Sequence, residues 1–377
     1  MARTVYFHIG APKTGTTYLQ AVMAQNREVL QEQGVLYADG RYPGDRVHAT
    51  ELARGHDHSA NPRAEGAWRR IVRQVQGWDG DAVISHEFFG ACTESQARAL
   101  VEDLTPAQVH VVFTTRDYVR QATAAWQERL KYGRAVRLSE FTLDERNGTP
   151  MWSWRTLDAV AVLARWSAGL DPADVHVVTV PPSGTPGDVL WERFAATIGI
   201  DPASCRTAVP FANSSLGVVE AELLRRFGDR LPEKFNDRRK AAAYVRNILA
   251  NEILASRKGE RLTLSQSHAA ELNQASREAV AAITAAGYRV VGDLAELVPG
   301  EVRSGRAPED VTEPELLDAA LDAVAGLLSA MEARDEQRRQ RAQGRAPHDG
   351  PGNVASSDTR LVRLARRIVR RSRRLRG

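Results

Sequence analysis

The sequence predicts an α/β protein with a three-layer parallel sheet in its N-terminal half and a mostly helical C-terminal half. Short runs of β-branched and aromatic residues alternate with longer segments of helical periodicity over the first half of the chain. Such alternation is typical of parallel strands joined by crossover helices that cover both faces of the sheet. From about residue 187 to residue 298 the apolar pattern is almost entirely helical.

The individual elements follow from local composition. Five runs rich in β-branched and aromatic residues are predicted strands: Thr4–Ile9, Val35–Tyr37, Asp81–Ser85, His110–Thr114 and Val175–Val180. Six segments carry apolar residues at helical spacing: Thr17–Gln33, Ala64–Val75, Tyr118–Lys131, Leu157–Leu170, Ala212–Phe227 and Lys240–Ala255. In the fifth of these, Asn213 or Ser214 is suited to cap the helix N-terminus.

Shifts in composition divide the chain into segments. We predict one domain over residues 1–298, a linker rich in Gly, Pro, Ser and charge over 299–312, and an accessory helix over 313–343. A flexible linker over 344–357 then leads to a basic amphipathic tail over 358–377. One stripe of the accessory helix is apolar and consists of Leu316, Leu317, Leu321, Val324, Leu328 and Met331.

The overall composition is that of a soluble protein with a buried core. Hydrophobic residues make up 43% of the 377 residues and charged residues 26%. No apolar run approaches the ~20 residues that span a bilayer, and the N-terminus lacks a signal-peptide pattern. The two cysteines, Cys92 and Cys205, fit a reducing compartment and match no metal-ligand spacing. We therefore expect a cytoplasmic protein without a metal.

The net charge of +4 conceals an uneven distribution. Residues 358–377 hold nine arginines and one aspartate, a charge of +8, which leaves −4 for the rest of the chain. No nucleic-acid partner is expected for this mildly acidic body. Arginines surround an apolar stripe over 360–376, which predicts peripheral binding to an anionic inner membrane surface or, alternatively, a disordered solubilising tail. Almost all basic residues of the chain are arginines. The five lysines are Lys13, Lys131, Lys234, Lys240 and Lys258.

The first predicted strand leads into a loop that is suited to bind an anion. The strand ends at Gly10, and a helix begins near Gly15. This arrangement directs backbone N–H groups and the positive end of a helix dipole at one point. Lys13 adds a charge, and the hydroxyls of Thr14, Thr16 and Thr17 add donors. The sequence therefore predicts a P-loop-type phosphate site, although a ligand-free turn rich in threonine is the simpler alternative.

The loop departs from the nucleotide triphosphatase pattern. Gly10 and Gly15 have the Walker A spacing, but Thr16 occupies the position of the Walker lysine, and the lysine lies at position 13 instead. The sequence also lacks an apolar run ending in an acidic residue that would hold magnesium. The loop is therefore predicted to bind phosphate but to be poorly suited to Mg-ATP.

The run Pro12–Thr17 (PKTGTT) resembles the 5′-phosphosulfate loop of sulfotransferases that use 3′-phosphoadenosine-5′-phosphosulfate (PAPS). The resemblance implies an enzyme that transfers a sulfuryl group from PAPS to a hydroxyl or amine acceptor and releases PAP. It also implies that Lys13 contacts the oxygen bridging phosphate and sulfate. The 5′-phosphate ligands that it implies are Thr14, Gly15, Thr16 and Thr17.

The same family binds the 3′-phosphate of PAPS through an arginine at the end of a later strand and a serine eight residues further on. Arg116 matches the arginine, whereas Ala124 stands at the serine position. Thr123, one residue earlier, or another donor such as Gln121 would have to supply the missing contact.

Three further runs resemble the bacterial branch of this family: 116–128, 177–187 and 287–293. With them, the resemblance covers roughly residues 4–298. Arg257-Lys258-Gly259 is also similar to a motif that closes over the 3′-phosphate, although three residues in an arginine-rich chain are weak evidence.

Sulfuryl transfer to a hydroxyl also needs a base, because the acceptor becomes a good nucleophile only as its proton leaves. His86 and Glu87 follow a predicted strand at the edge of the sheet where such folds place their chemistry. Strand alternation predicts that they point in opposite directions. We expect Glu87 to be the base, with His86 as the alternative, because the negative charges of PAPS would raise the pKa of the glutamate and favour protonated histidine. His8, inside the first strand, is more typical of packing.

Two other classes of function stay open. One is a P-loop kinase or NTPase that has lost its standard lysine, and the other is a membrane-surface or nucleic-acid adaptor that acts through the basic tail. The acceptor is also open among carbohydrate, lipid, peptide and small natural product. Four tryptophans are suited either to line an acceptor pocket or to fill the core: Trp152, Trp154, Trp166 and Trp191.

Overall fold

The computed structural model describes residues 1–56, 64–144, 150–209, 215–298, 300 and 305–343. The predicted linker and tail over 344–377 lie outside the described residues, as do Asn213, Ser214 and part of the linker over 299–312. None of the helices within the described ranges is long and apolar enough to cross a membrane.

The core of the protein is a six-stranded sheet whose strands are all parallel. The strand order is β2-β3-β1-β4-β5-β6, which puts the first strand near the centre. The predicted α/β class is therefore confirmed. The strands are β1 (Thr4–Gly10), β2 (Val35–Tyr37), β3 (Asp81–Ser85), β4 (Gln108–Thr115), β5 (Val175–Thr179) and β6 (Arg289–Val291).

The sequence did not predict the sixth strand. β6 has only three residues, of which the first is an exposed arginine, and it pairs with β5 through Val177 and Val290 at the edge of the sheet. A short edge strand of this kind is stabilised by its neighbour and by the packing around it rather than by its own composition.

Helices account for most of the remaining chain. The α-helices are α1 (Thr16–Gln25), α2 (Arg27–Glu32), α3 (Asp45–Ala53), α4 (Ala67–Gln76), α5 (Glu94–Glu102), α6 (Tyr118–Lys131), α7 (Trp154–Leu157), α8 (Ala159–Ser167), α9 (Val189–Thr197), α10 (Val218–Gly228), α11 (Arg238–Lys240), α12 (Gln266–Ala285) and α13 (Glu313–Gln343). A π-helix over Ala241–Ile253 follows α11 directly. The 3₁₀ turns cover Glu87–Ala91, Pro150–Trp152, Pro172–Asp174, Pro202–Ser204, Glu233–Asn236, Leu254–Arg257, Leu294–Leu297 and Pro308–Asp310.

Two predicted helices are interrupted by a polar residue. The predicted helix Thr17–Gln33 is divided at Asn26, whose side-chain amide donates to the Val22 carbonyl and to Arg206. The predicted helix Leu157–Leu170 is divided at Asp158, whose carboxylate caps the first turn of α8. Both side chains hydrogen-bond to backbone groups and so compete with the helix ladder at that position.

Apolar residues cover both faces of the sheet and give the three layers. On one face, Phe7 packs edge-on against Phe89 and Trp166, with ring centroids 4.8 Å apart in each case. On the other face, Trp191 and neighbouring residues of α1 and α9 pack on the central strands. Trp166 and Trp191 are therefore core residues and do not line an acceptor pocket.

The C-terminal half packs into a third apolar cluster with α6. The predicted helix Lys240–Ala255 is instead a π-helix followed by a 3₁₀ turn. The chain divides into two compact units, Met1–Leu327 and Leu328–Gly377. Within α13, Leu316 and Ala319 face the core, whereas the other five residues of the predicted apolar stripe are between 56% and 63% exposed. The predicted domain limits stay predictions.

Candidate active site

The loop between β1 and α1 is shaped by two glycines. Gly10 has φ +129°, and a Cβ there would lie 3.1 Å from the Glu87 carbonyl oxygen. Gly15 has φ +83°, and a Cβ there would lie 2.5 Å from Leu190 Cδ2. Only glycine combines these dihedrals with such close approach. Gly10 therefore brings the start of the loop against the chain segment that carries the predicted base.

Backbone donors are available at the tip of the loop. Lys13 itself adopts a left-handed conformation, with φ +67°, just before the start of α1. Helix α1 has no side-chain cap. No group in the described part of the chain accepts a hydrogen bond from the N–H of Lys13, Thr14 or Gly15. Free N–H groups beside a helix N-terminus form a concave site for an anion.

The loop threonines are not equivalent. Thr14 is fully buried, and its Oγ1 donates to the Ala11 carbonyl and lies 2.5 Å from Thr114 Oγ1. Its hydroxyl therefore stabilises the loop, and its N–H is the group left to meet a ligand. Thr16 is buried and Thr17 is exposed. The assignment of Thr14, Gly15, Thr16 and Thr17 to phosphate stays a prediction.

Side chains from the segment after β4 hold the loop in place. Arg116 Nη1 donates to the Lys13 carbonyl at 3.1 Å, and Gln121 Nε2 donates to the Pro12 carbonyl at 3.0 Å. Arg116 Nε and Gln121 Oε1 are both buried, with no hydrogen-bond partner among the described residues. Burial, reinforced by Arg120, lowers the pKa of Arg116 to about 10, so the guanidinium is still charged at neutral pH. The structure thus brings two predicted anion anchors together and leaves donor capacity at Arg116.

The predicted substitute for the missing serine is engaged within its own helix. Thr123 Oγ1 donates to the Val119 carbonyl one turn earlier, at 2.8 Å. This uses the hydroxyl proton and leaves only acceptor capacity, which does not suit a phosphate. Thr123 as a ligand stays a prediction, and Gln121 acts here on the loop backbone.

Lys13 takes part in a cluster of charges that the sequence did not predict. Its Nζ lies 2.9 Å from Glu128 Oε1, and the buried Lys131 Nζ lies 3.4 Å from the same oxygen. Arg246 Nε lies 3.3 Å from Glu128 Oε2. Burial alone would raise the pKa of Glu128, but Lys13, Lys131 and Arg246 lower it to about 2. Burial lowers the pKa of Lys131 to about 8.

The two candidate bases lie side by side. The expectation that strand alternation separates them is wrong, because β3 ends at Ser85 and a 3₁₀ turn begins at Glu87. His86 Nδ1 lies 3.9 Å from Glu87 Oε2. His86 Nδ1 also accepts a hydrogen bond from the Phe88 N–H at 3.2 Å, which leaves the ring proton on Nε2.

In the ligand-free protein the pKa values of the pair are set by burial and by neighbouring groups, and the expected effect of the charges of PAPS stays a prediction. Burial lowers the pKa of His86, and the adjacent Glu87 opposes this effect. Burial alone would raise the pKa of Glu87, but His86, a backbone hydrogen bond and Gln20 together lower it below its ordinary value. Glu87 is therefore an ionised carboxylate, able to accept a proton, when no nucleotide is present.

A buried chain of hydrogen bonds connects the loop with Glu87. His8 Nε2 lies 3.2 Å from Thr114 Oγ1, and His8 Nδ1 lies 2.8 Å from Ser85 Oγ. Gln20 Nε2 donates to Ser85 Oγ and, at 3.2 Å, to Glu87 Oε2. Burial lowers the pKa of His8 to about 4. The sequence assigned His8 to packing, and its proximity to the loop was the only signal of this second role.

Aromatic side chains lie next to the candidate bases. Trp152 packs against Phe88, with ring centroids 6.2 Å apart, and against Tyr132, at 5.4 Å. The guanidinium of Arg238 lies over the Tyr132 ring at 5.6 Å. Phe88 and Tyr132 are half-buried, so part of this aromatic surface faces solvent. Trp152 thus lies beside Phe88, the residue after the predicted base, whereas Trp154 packs against Tyr118.

The Arg257-Lys258-Gly259 run is engaged elsewhere in the fold. Arg257 pairs with the buried Glu220 at 2.9 Å and with two aspartates of α13, Asp318 and Asp322. An anion at Arg257 would have to compete with three carboxylates. The contacts of Arg257 are those of a residue that joins α10 to α13.

Fold and site together define a parallel α/β protein in which a loop shaped by two glycines joins the carboxyl end of a central strand to a helix N-terminus. No group of three or more His, Cys, Asp or Glu residues within the described ranges is arranged to hold a metal ion. No protein-family model and no curated protein matches the chain. Among solved structures, the chain is similar to a sulfotransferase from Alicyclobacillus acidocaldarius, with 17% identity and a TM-score of 0.36 over 56% of this chain and 87% of that one.

Proposed function

We propose that the protein is a PAPS-dependent sulfotransferase that transfers a sulfuryl group to a hydroxyl or amine acceptor. The observation that carries this proposal is the contact between Arg116 and the Lys13 carbonyl, at 3.1 Å and 103 residues apart in sequence. A nucleotide with phosphates at its 5′ and 3′ positions needs two cationic anchors close together. The loop lysine and the arginine after β4 meet that requirement.

The free polar groups also fit such a ligand. N–H groups at the tip of the loop and the buried Nε of Arg116 have no partner among the described residues. Unpaired buried donors are costly, and an anionic ligand would satisfy them. In this proposal Lys13 stabilises negative charge on the leaving phosphate, and Arg116 binds the 3′-phosphate.

Glu87 is the proposed general base. Its carboxylate is ionised and accepts a hydrogen bond from Gln20, and its backbone carbonyl lies beside Gly10 at the start of the loop. An acceptor hydroxyl between the aromatic surface and the loop would lie within reach of this carboxylate. His86 is the alternative base, and it would take the proton on Nδ1 in place of the hydrogen bond from the Phe88 N–H.

The loop chemistry favours PAPS over Mg-ATP. Thr16 occupies the Walker lysine position, and the loop lysine is directed to Glu128 instead. The decisive experiment is thermal unfolding of the full chain with PAP, Mg-ATP or short DNA in parallel. A ligand at about a hundredfold excess over its Kd stabilises the folded state by about 2.7 kcal/mol. Stabilisation by PAP alone supports the proposal, whereas stabilisation by Mg-ATP or DNA alone contradicts it.

The proposal extends to the basic tail. Residues 360–376 are proposed to bind an anionic membrane surface peripherally, which would place a cytoplasmic enzyme at the inner face of the membrane. This part of the proposal is independent of the chemistry at the loop.

A further inference from the structure

We infer that Lys13, Lys131 and Arg246 form an oxyanion subsite whose resident counter-ion is Glu128, and that Glu128 sets which anions can bind there. The nature of the larger ligand, PAP or PAPS, rests on the proposed function. The subsite itself rests on the geometry of four side chains. Its chemical class of ligand is a sulfate or phosphate group.

The first observation is that three cations share one carboxylate. Three cations surround one carboxylate, with the shortest distance, 2.9 Å, between Lys13 Nζ and Glu128 Oε1. Glu128 and Lys131 are only 4% and 2% exposed. One buried carboxylate is therefore the shared partner of all three cations.

The second observation is that the cluster opens to solvent on one side. Lys13 is 31% exposed and Arg246 is 36% exposed, in contrast to the two residues beneath them. Lys13 belongs to the anion-binding loop, Glu128 and Lys131 to the last turn of α6, and Arg246 to the π-helix. An anion that enters at the loop therefore meets Lys13 first, and Glu128 competes for the same ammonium group.

If Lys13 moves away from Glu128, the Glu128 carboxylate still has two other cationic partners. Lys131 Nζ and Arg246 Nε lie at 3.4 and 3.3 Å from the two Glu128 oxygens. Glu128 would therefore stay paired when Lys13 turns to a ligand. Exchange of partners by Lys13 is the step that binding requires.

Glu128 thereby discriminates between anions. A free sulfate or phosphate gains few contacts and must displace a carboxylate that is already in place, whereas a nucleotide gains the loop N–H groups and Arg116 as well. Glu128 therefore weakens the binding of free sulfate or phosphate more than the binding of a nucleotide. Discrimination depends on the difference between these two affinities. The subsite thus favours nucleotide-borne sulfate or phosphate over the free ions.

The experiment measures the Kd of inorganic sulfate, inorganic phosphate and PAP for the full chain by titration calorimetry. In Glu128→Gln the competing charge is removed, and we expect sulfate and phosphate to bind about tenfold more tightly or better, since like charges this close repel strongly. Glu222→Gln is the matched control, because Glu222 is also a buried carboxylate paired with two arginines, Arg225 and Arg226. The control is expected to leave all three affinities unchanged.

A purely structural ion pair would behave differently. In that case Glu128→Gln would lower the melting temperature and leave the Kd of sulfate and phosphate unchanged or weaker, which would overturn the inference. If Glu128→Gln does not fold, Arg246→Gln decides. Loss of the Arg246 guanidinium leaves Glu128 more dependent on Lys13, so sulfate, phosphate and PAP are all expected to bind several-fold more weakly. Unchanged affinities would overturn the inference.

The outcomes separate this inference from the proposed function. Tighter sulfate and phosphate binding without any PAP binding would support the subsite and contradict the sulfotransferase proposal. PAP binding, together with a Kd of sulfate and phosphate that Glu128→Gln does not change, would support the sulfotransferase proposal and contradict the subsite.

Discussion

Arg116 donates a hydrogen bond from Nη1 to the carbonyl oxygen of Lys13, at 3.1 Å. The contact fixes the loop at the residue that has a left-handed backbone, with φ +67°. Because the donor and the acceptor both belong to predicted ligand-binding residues, a change at Arg116 is expected to act on the loop as well as on a bound phosphate.

We predict a clear preference for PAP over 5′-AMP that depends on Arg116. A charge-assisted contact to the 3′-phosphate contributes roughly 1.5–3 kcal/mol. Calorimetry with both nucleotides should show this difference in the wild type and its loss in Arg116→Ala, while Arg98→Ala on the exposed face of α5 retains it. Equal affinities in the wild type would contradict the assignment. Ala124→Ser is expected to tighten PAP binding under the proposed function, since it supplies a hydroxyl two turns after Arg116.

We predict that Lys13→Ala removes most turnover and leaves the fold intact. The charge of the lysine matters more as negative charge develops on the leaving phosphate than in the ground state. The expected loss of transition-state stabilisation is about 2–4 kcal/mol. Steady-state kinetics measure the loss, circular dichroism checks the fold, and Lys234→Ala, at an exposed position, is the control. Turnover at the wild-type rate would contradict the interpretation of the loop.

Local patterns explain which parts of the fold could be predicted. Helix α6 runs from Tyr118 to Lys131 as predicted, because Asp117 caps its N-terminus and its apolar spacing is regular. The break at Asn26 and the π-helix depend on contacts that a local pattern does not encode. Strand β6 is stabilised by its neighbour.

The site was predicted residue by residue but not as an assembly. Lys13 and Arg116 were recognised from short motifs, whereas the pairing of Lys13 with Glu128 joins residues 115 apart in sequence. In the chain of hydrogen bonds that connects the loop with Glu87, His8 contacts Ser85, which is 77 residues away in sequence. Such contacts arise from the order of the strands in the sheet, which the sequence did not specify.

We predict that truncation at residue 357 leaves catalysis unchanged and abolishes binding to anionic vesicles. Each arginine near an anionic surface contributes about 1 kcal/mol, and the tail carries nine of them. Co-sedimentation of the full and truncated chains with anionic and with neutral vesicles measures the effect. Unchanged sedimentation of the truncated chain with anionic vesicles would exclude the membrane anchor.

We predict that Glu87→Gln depresses turnover with little change in PAP affinity, because the ionised carboxylate acts on the acceptor proton rather than on the nucleotide. His86→Ala is expected to reduce turnover less and to weaken PAP binding more. Kinetics and calorimetry on both variants separate the roles. A fully active Glu87→Gln enzyme beside an inactive His86→Ala enzyme with intact PAP binding would reverse the assignment.

We predict that the folded state loses stability as the pH falls from about 6.5 to about 4, in part through His8. Burial lowers the pKa of His8 in the folded protein to about 4, from an ordinary value of 6.5. Between these two values the unfolded chain binds more protons than the folded chain, so the free energy of unfolding decreases as the pH falls, and the full stability is present above 6.5. One such histidine contributes a slope of up to about 1.4 kcal/mol per pH unit.

His176 acts in the same direction, since burial and His110 lower its pKa to about 4. Urea unfolding at several pH values between 7 and 4 therefore provides a quantitative test. His8→Gln should give a shallower pH dependence than the wild type, because it removes one titrating group, whereas the same change at the exposed His56 serves as the control. An unchanged slope in His8→Gln would mean that His8 is not held neutral by the fold, and the hydrogen-bonded link between the loop and Glu87 would then need a different protonation state.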